Sequence, residues 1–416
     1  MTHVSIDSKV NTPLSRPVAQ IIASEQDAIR VAHELANEFR LHAAERDRER
    51  REPIKELDAY SQSGLWAIAV PPQYGGLGAS MGTITHVFSI ISEADSSLGQ
   101  LAQNHFGYVD FIAANGSETQ KQELFGRILQ GARIGNALSE KRNQHDRQKR
   151  QHVGVFTTLI TSLDSRRARV DGTKFYATGA LFADLIPVTA TNEEGHVDVA
   201  FFDRDTPGLT VINDWSSFGQ RTTFSGTVEI DGAIIPRTRG IAADRHQQIS
   251  ANGPVSQILQ AAIDLGIGQA ALAETLEYVR HRARPWIDSG VERAVDDPLT
   301  LSLLGRLDTQ QAAAEALLER AADKVDKARH YPSEDAIDQA SASVARAKIA
   351  TTEFALEAAN RLFELAGTSS TLEQFGLDRH WRNARVHTLH DPVRWKLHLV
   401  GNYLLNHASP KRHAWN

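Results

Sequence analysis

Residues 378–392 read DRHWRNARVHTLHDP, an arginine-rich run that leads into two histidines, one aspartate and a proline. Asp391 before Pro392 is typical of a helix start, because a carboxylate can accept free backbone N–H groups there. His390 is suited to acid–base chemistry, since imidazole titrates near neutral pH. His387 and His390 also have the spacing of a helical metal pair, but no third ligand is evident. The segment therefore indicates either a catalytic histidine or a capped helix.

The composition of the chain excludes several classes of protein. It has 416 residues, 41% of them hydrophobic, and a net charge of −6, which predicts two or three globular domains and no surface for nucleic acid. The absence of cysteine excludes disulfides, thiolate metal sites and a cysteine nucleophile. No apolar run approaches the roughly 20 residues of a membrane span. Residues 1–20 are interpreted as a flexible polar tail without a signal peptide, so we expect a cytoplasmic protein.

Hydrophobic spacing divides the rest of the chain into three regions. Residues 21–131 have apolar residues at helical spacing and predict an N-terminal helical domain. Residues 132–245 contain short β-branched runs, with a hairpin turn predicted at Asp171-Gly172, and indicate a central β-barrel or sandwich domain. Residues 246–416 carry longer helical patterns and predict a C-terminal four-helix bundle. The predicted fold class is therefore α+β.

Seven short motifs follow one another along the chain. They are GLW at 64–66, VPPQYGG at 70–76, DSSLG at 95–99, GTKFYATG at 172–179, DWSSFGQR at 214–221, RARPW at 282–286 and the block at 378–392. In this order they resemble the acyl-CoA dehydrogenase superfamily, and within it the flavin-dependent monooxygenases of the dibenzothiophene monooxygenase and sulfur-acquisition type. Many dehydrogenases of the superfamily place a catalytic glutamate in the last block. Because this chain has none there, the resemblance implies oxygen chemistry on the same fold.

The resemblance also implies a cofactor and partners. It implies a two-component monooxygenase that uses reduced FMN and O2 to oxygenate a small organosulfur compound for sulfur acquisition, with FAD the less favoured flavin. The glycines at 76–82 follow a proline-rich loop and have the wrong spacing for a dinucleotide-binding turn. A separate NAD(P)H:flavin reductase would therefore supply the reduced flavin. The relatives further imply a homotetramer, a dimer of dimers, and we expect no metal or membrane partner.

Three residues are catalytic candidates by resemblance. His390 matches a histidine beside the flavin, with a helix-start role as the alternative. His105 matches a second active-site histidine, although a histidine on an apolar helix face is usually a core residue. Thr178 matches a hydroxyl placed against flavin N5, and Tyr176 is expected to share its strand face and to border the ring.

The other cofactor-binding candidates also come from the resemblance. They are Asn136 and Ser139 at the pyrimidine edge, Trp215 near the ring, Arg221, Thr223 and Ser225 near the ribityl phosphate, Arg282 at the phosphate of a neighbouring subunit, and Ser369 and Asp391. Ser369 departs from the relatives, which carry an arginine there, so one phosphate contact is missing or replaced. The charged run at 140–150 is a second departure and predicts an exposed loop.

Two other functions stay open from the sequence. An FAD-dependent acyl-CoA dehydrogenase would need a base from elsewhere, such as Glu364. A non-catalytic binding protein of the same fold would have lost its flavin, and the departure at Ser369 favours it. Reduction of bound flavin by an acyl-CoA would support the first, and failure to bind reduced FMN would support the second.

Overall fold

The computed structural model describes residues 18–141, 156–243 and 250–416. Within these ranges six helices precede a seven-stranded sheet and five follow it, which confirms the predicted order of the three regions. The helices are α1 (Glu25–Arg40), α2 (Ala43–Glu49), α3 (Ile54–Gln62), α4 (Met81–Ala94), α5 (Ser96–Asn115), α6 (Glu118–Leu129), α7 (Asn252–His281), α8 (Pro298–His330), α9 (Glu334–Ala366), α10 (Asp378–His387) and α11 (Val393–Asn406). The strands are β1 (Leu159–Ser162), β2 (Arg167–Lys174), β3 (Leu185–Asn192), β4 (Val197–Asp203), β5 (Leu209–Ile212), β6 (Thr227–Pro236) and β7 (Gly240–Ala242).

Side-chain caps fix where the N-terminal helices begin. Ser24 accepts a hydrogen bond from the backbone N–H of Asp27 (3.1 Å) at the start of α1. Asp95 accepts one from Ser97 (3.0 Å) at the start of α5. Two guanidinium nitrogens of Arg46 donate to the same aspartate at 3.0 and 2.8 Å. The first turn of α5 is therefore firmly anchored, and this turn contacts the candidate site described below.

The strands form one sheet with the order β5-β6-β2-β1-β3-β4-β7. Neighbouring strands are antiparallel except β1 and β3, which are parallel. One face buries a small core of alanine, valine and isoleucine side chains. The region predicted as a β-domain thus has a core of its own.

The hairpin turn predicted at Asp171-Gly172 is wrong. Both residues lie inside β2, where the pairing with β6 shifts register between Val170 and Gly172, as in a β-bulge. Glycine is needed there because a Cβ would overlap the Thr158 side chain. The turn between β1 and β2 instead uses Asp164, whose carboxylate accepts two backbone N–H groups at 2.8 Å.

Helix α7 is the centre of the C-terminal region. The apolar positions that repeat every seven residues along it are buried: Ile258, Leu265, Leu272 and Val279. Glycines let neighbouring helices approach closely, since a Cβ at Gly266 would overlap α4 and one at Gly268 would overlap Phe354 of α9. None of the described helices has the length and apolar character that crossing a membrane requires.

Helix α10 was not predicted as a separate helix. Its buried positions are His380, Asn383, Ala384 and His387, of which three are polar. Polar residues on the buried face remove the hydrophobic period on which sequence interpretation depends. These same residues bring α10 to the candidate site.

Candidate active site

Gln220 joins the three regions at one buried point. Its backbone N–H donates to the Oδ1 atom of Asn383 on α10 (2.7 Å). Its side-chain Oε1 atom accepts from the hydroxyls of Ser96 (2.8 Å) and Ser97 (3.2 Å) at the start of α5. The φ angle of Gln220 is 47°, a left-handed conformation that persists only where surrounding contacts hold it. The N-terminal helices, the loop after β5 and α10 therefore converge on this residue.

Sequence reasoning missed Gln220, although its neighbour carried a signal. A Cβ at Gly219 would overlap the carbonyl oxygen of Arg382, so only glycine lets α10 approach this loop. The rings of Phe218 and Trp381 stack beside the contact, with centroids 6.3 Å apart. A glycine inside the motif DWSSFGQR was the feature that indicated a close approach of backbone.

Three buried hydroxyls form a chain that ends on Gln220. The Thr223 hydroxyl donates to the Gln220 carbonyl oxygen (3.0 Å) and lies 2.8 Å from the Ser225 Oγ atom. Ser225 in turn lies 2.7 Å from the Oγ1 atom of Thr178. Thr178 is 6% exposed and forms the outer end of the chain. Three of the predicted cofactor-binding residues are thus brought together, in one hydrogen-bonded series.

Two aromatic rings lie beside this chain of hydroxyls. Tyr176 is 56% exposed, and its ring centroid lies 6.1 Å from that of Trp215 in an edge contact. The indole Nε1–H of Trp215 donates to the Gln220 carbonyl oxygen at 3.0 Å. Exposed aromatic faces next to buried polar groups are typical of a site for a flat heteroaromatic ligand.

The prediction that Tyr176 and Thr178 share a strand face is wrong. Strand β2 ends at Lys174, and Tyr176 has a φ angle of 56° in the turn that follows. The left-handed residue reverses the alternation of side chains, so Tyr176 is exposed and Thr178 is buried. Left-handed backbone recurs at Phe224, next to Ser225. Strained residues therefore cluster around the hydroxyl chain, as they do at many functional sites.

The loop at 136–139 lies against the same turn. The Asn136 amide donates to the carbonyl oxygen of Tyr176 (3.4 Å) and accepts from the Tyr108 hydroxyl (3.3 Å). The Ser139 carbonyl oxygen accepts from the backbone N–H of Phe175 (2.8 Å). These contacts place the Asn136 side chain and the Ser139 backbone beside the turn that carries Tyr176. Their role at the pyrimidine edge of a flavin stays a prediction.

Glu140 is not part of an exposed loop, contrary to the prediction for 140–150. Its carboxylate accepts from the buried ammonium of Lys174 (2.8 Å) and from backbone N–H groups of Thr157 and Thr158. Burial favours the neutral form of Glu140, but these donors outweigh it and lower its pKa to about 2. The remaining positions from 142 onward lie outside the described residues.

Arginines surround the far side of the loop at 214–221. Arg382 of α10 pairs with the Asp47 carboxylate (2.5 Å) and donates to the Phe218 carbonyl oxygen (2.9 Å). Arg221 donates to the Asp47 carbonyl oxygen (3.4 Å), and Arg50 donates to that of Ser217 (2.7 Å). Three guanidinium groups face two carboxylates, Asp47 and Asp378, the latter 2.7 Å from Arg382. One positive charge is left over, as the phosphate end of a nucleotide requires.

The turn between α10 and α11 carries an imidazole that is partly exposed and a carboxylate that is buried. The His390 side chain is 33% exposed, whereas that of Asp391 is only 5% exposed. Asp391 lies 3.5 Å from His390 Nδ1 and 3.4 Å from the Lys396 ammonium. Burial would raise the pKa of Asp391, but His390, Lys348 and Lys396 lower it well below its usual range. The carboxylate is therefore ionised, paired and turned inward, while the imidazole reaches the surface.

Two of the alternatives left open for this turn are not supported. Asp391 does not cap α11, because its side chain accepts no bond from the first turn of that helix. His387 is not half of a metal pair, because its Nδ1 atom lies 2.5 Å from Asp264 Oδ1 in the core. Asp264 also accepts from Lys348 (2.7 Å) and Thr352 (2.9 Å). No cluster of three or more potential metal ligands occurs in the part of the chain that the structure describes.

His105 has a core environment. Its Nδ1 atom accepts from the backbone N–H of Ile134 (3.1 Å), so its Nε2–H donates to the carbonyl oxygen of Trp66 (2.8 Å). Burial lowers its pKa to about 4. Both ring nitrogens are occupied by backbone groups, which leaves none for flavin or substrate. This physical reason removes His105 from the residues that we propose as catalytic.

Arg282 and Ser369 lie together, at the end of α7. The Arg282 guanidinium lies over the Phe375 ring, 5.0 Å from its centroid, and is exposed. The Tyr278 hydroxyl donates to the Ser369 Oγ atom (2.8 Å). Neither residue contacts the hydroxyl chain. The role that the resemblance implies for Arg282, at the flavin phosphate of a neighbouring subunit, stays a prediction.

Together these groups fit a flavin mononucleotide. The flat ring system needs aromatic faces, its pyrimidine edge needs amide and hydroxyl partners, and its phosphate needs cations. Tyr176 and Trp215 supply the faces, Asn136 and Thr178 supply polar groups, and the arginine cluster supplies charge.

Two family models match the chain. The acyl-CoA dehydrogenase N-terminal domain matches residues 24–132, and the acyl-CoA dehydrogenase C-terminal domain matches residues 258–395. The chain is 31% identical to the dibenzothiophene monooxygenase of Rhodococcus erythropolis, over 93% of this chain and 95% of that protein. It is 28% identical to the probable FMNH2-dependent monooxygenase SfnC of Pseudomonas putida, over 96% and 98% of the two chains. The FMN-bound crystal structure of TdsC from Paenibacillus sp. A11-2 superposes with a TM-score of 0.88 at 32% identity, covering 94% of this chain and 100% of that chain.

Proposed function

The chain belongs to the acyl-CoA dehydrogenase family, in its flavin-dependent monooxygenase branch, and from this premise we propose the reaction that it catalyses. It is a two-component monooxygenase that uses reduced FMN and O2 to oxygenate a small organosulfur compound. The observation that supports this best is the turn after α10, where an imidazole takes the accessible position and the only carboxylate is buried against Lys396. A separate flavin reductase supplies the reduced FMN.

Bound reduced flavin supplies the activation of dioxygen. The residues of this chain bind it, orient it and handle protons. Thr178 would hold the N5 edge of the ring, and Tyr176 and Trp215 would cover ring faces and exclude water. His390 would donate a proton at its imidazole while oxygen is transferred, because its side chain is one-third exposed and only its Nδ1 atom lies near a carboxylate, that of Asp391 at 3.5 Å.

Neither carboxylate considered for the dehydrogenase alternative is a suitable base. Asp391 is buried and ion-paired. Glu364, the base that it would need, is half exposed on α9 and pairs with Arg361. A surface carboxylate held by an arginine is a poor candidate for removing a carbon-bound proton.

We further propose a cytoplasmic homotetramer. Helix α11 exposes large apolar side chains that a subunit interface would cover: Trp395, Leu397, Leu404 and Leu405. Arg282, remote from the hydroxyl chain of its own subunit, would bind the FMN phosphate of a neighbour. Light scattering should give four times the chain mass of 45.8 kDa.

The reaction is tested with a flavin reductase, NADH, FMN and dibenzothiophene. We expect sulfoxide or sulfone in air and no change in flavin colour when butyryl-CoA is added to the FAD-loaded protein without oxygen. Bleaching of the flavin by butyryl-CoA, with no oxygenated product from any organosulfur compound, would overturn the proposal.

A further inference from the structure

The hydroxyl chain has a fixed end and an open end. At the fixed end is the Gln220 carbonyl oxygen, which can only accept hydrogen bonds. Gln220 is held in place because its backbone N–H donates to Asn383 and its side-chain oxygen accepts from the hydroxyls of Ser96 and Ser97. At the open end is Thr178, which has no further side-chain partner among the described residues. A fixed acceptor therefore determines the direction in which the three hydroxyls donate their protons.

The donor-to-acceptor direction of the hydrogen bonds in the hydroxyl chain follows from counting protons. Each hydroxyl has one proton to donate. Thr223 donates its proton to the Gln220 carbonyl oxygen (3.0 Å), so it can only accept from Ser225 (2.8 Å). Ser225 has then used its proton, so it can only accept from Thr178 (2.7 Å). The Thr178 hydroxyl thus donates inward and presents a lone pair outward.

The opposite order of protons is disfavoured. It would turn the Thr223 proton away from the carbonyl and leave two oxygen atoms facing each other at 3.0 Å with no proton between them. All three hydroxyls are buried, so no solvent contact compensates for the lost bond.

We propose that this polarised chain makes the site select reduced over oxidised FMN. The inference rests on the proposed function, in which flavin N5 lies at Thr178. In reduced FMN the N5 atom carries a hydrogen and donates, which suits an outward lone pair. In oxidised FMN the N5 atom is itself an acceptor, so two lone pairs meet. A monooxygenase fed by a reductase gains from this preference, since oxidised flavin would otherwise compete for the site.

Dissociation constants for oxidised FMN and for chemically reduced FMN, the latter without oxygen, test the proposal. The wild type should bind reduced FMN more tightly. Thr223→Val keeps the shape of the side chain but removes the proton that sets the direction. We expect the preference for reduced FMN to fall about three- to tenfold, the range that one net hydrogen bond supports.

Matched variants separate the effect of hydrogen-bond direction from that of side-chain packing. Thr223→Ser retains the hydroxyl and should retain the preference, as should Thr222→Val, a change at the adjacent buried threonine outside the hydroxyl chain. If Thr223→Val does not fold, Ser225→Ala interrupts the same chain. The N5 resonance of 15N-labelled reduced FMN should also move in Thr223→Val, because its N5–H loses the acceptor.

Failure of the two proposals can be distinguished. If the wild type binds no reduced FMN, the proposed function itself fails. If it binds both forms equally, or if Thr223→Val and Ser225→Ala keep the wild-type preference, the polarised chain is overturned while the proposed function stands.

Discussion

The surroundings of His105 and of His390 differ although the sequence marked both histidines for the active site. The α5 core occupies both nitrogens of His105 with backbone groups. The turn after α10 leaves the His390 side chain one-third exposed, with its nearest carboxylate 3.5 Å away. A histidine is available for proton transfer only where the fold has not already used its hydrogen-bonding capacity. The following predictions test this contrast.

The largest effect is expected for His390→Ala. Loss of a positioned proton donor should lower the rate of substrate oxygenation roughly 10²–10⁴-fold, while hydrogen peroxide from reoxidised flavin persists. Product and peroxide are measured per reduced FMN consumed. His42→Ala, at a side chain that is 60% exposed, is the control and should behave as the wild type. An unchanged product yield in His390→Ala would remove this histidine from the mechanism.

Asp264→Asn tests the buried support of the same turn. The change leaves Lys348 and His387 without their shared carboxylate, and breaking a buried ion pair in this way destabilises a protein by about 3–5 kcal/mol. The free energy of unfolding in urea measures it. Asp296→Asn, in an exposed pair with Arg293, should leave stability unchanged. Equal stabilities of the two variants would contradict the assignment.

The core role of His105 predicts a pH dependence of stability. Its pKa is lowered from 6.5 to about 4 in the folded protein, so between these values the unfolded chain binds a proton that the folded chain does not. Stability should therefore fall as the pH drops from 7 to 4, by roughly 3 kcal/mol for this residue. His380, also lowered to about 4 by burial, adds to the slope. His105→Gln should flatten the pH profile, and an unaltered slope would refute the core assignment.

Gly219→Ala should have the smallest effect. The added Cβ would overlap the Arg382 carbonyl oxygen, and such overpacking destabilises by about 1–3 kcal/mol. Since the loop also carries Gln220, FMN binding should weaken as well. Gly126→Ala is the matched control, because nothing lies within 4 Å of its Cβ position. Calorimetric titration with FMN that shows equal affinity for both variants would contradict the role of this contact.

Sequence patterns predicted the fold where periodicity was strong and failed where backbone geometry departed from regular structure. The helical patterns of the first and last regions and the β-branched runs between them correctly predicted the order of helices and strands. The bulge at Gly172 looked like a hairpin turn, because both structures need an unusual backbone. Helix α10 was missed because its buried face is polar.

The arrangement of the site residues also depends on irregular backbone that sequence patterns do not predict. Thr178, Thr223 and Ser225 were named as separate contacts by resemblance, but their common hydrogen-bonded chain depends on left-handed backbone at Tyr176 and Phe224. No sequence rule predicts such angles for large residues. The core position of His105 depends on backbone groups of Trp66 and Ile134, which are far from it in sequence.

Isotope-labelled oxygen tests the central claim most directly. The wild-type protein, loaded with reduced FMN without oxygen, is mixed with dibenzothiophene and 18O2, and the products are analysed by mass spectrometry. We expect one 18O atom in the sulfoxide for each oxygenation, with the other reduced to water. Label found only in hydrogen peroxide, with unlabelled substrate recovered and every organosulfur compound tested equally inert, would contradict it.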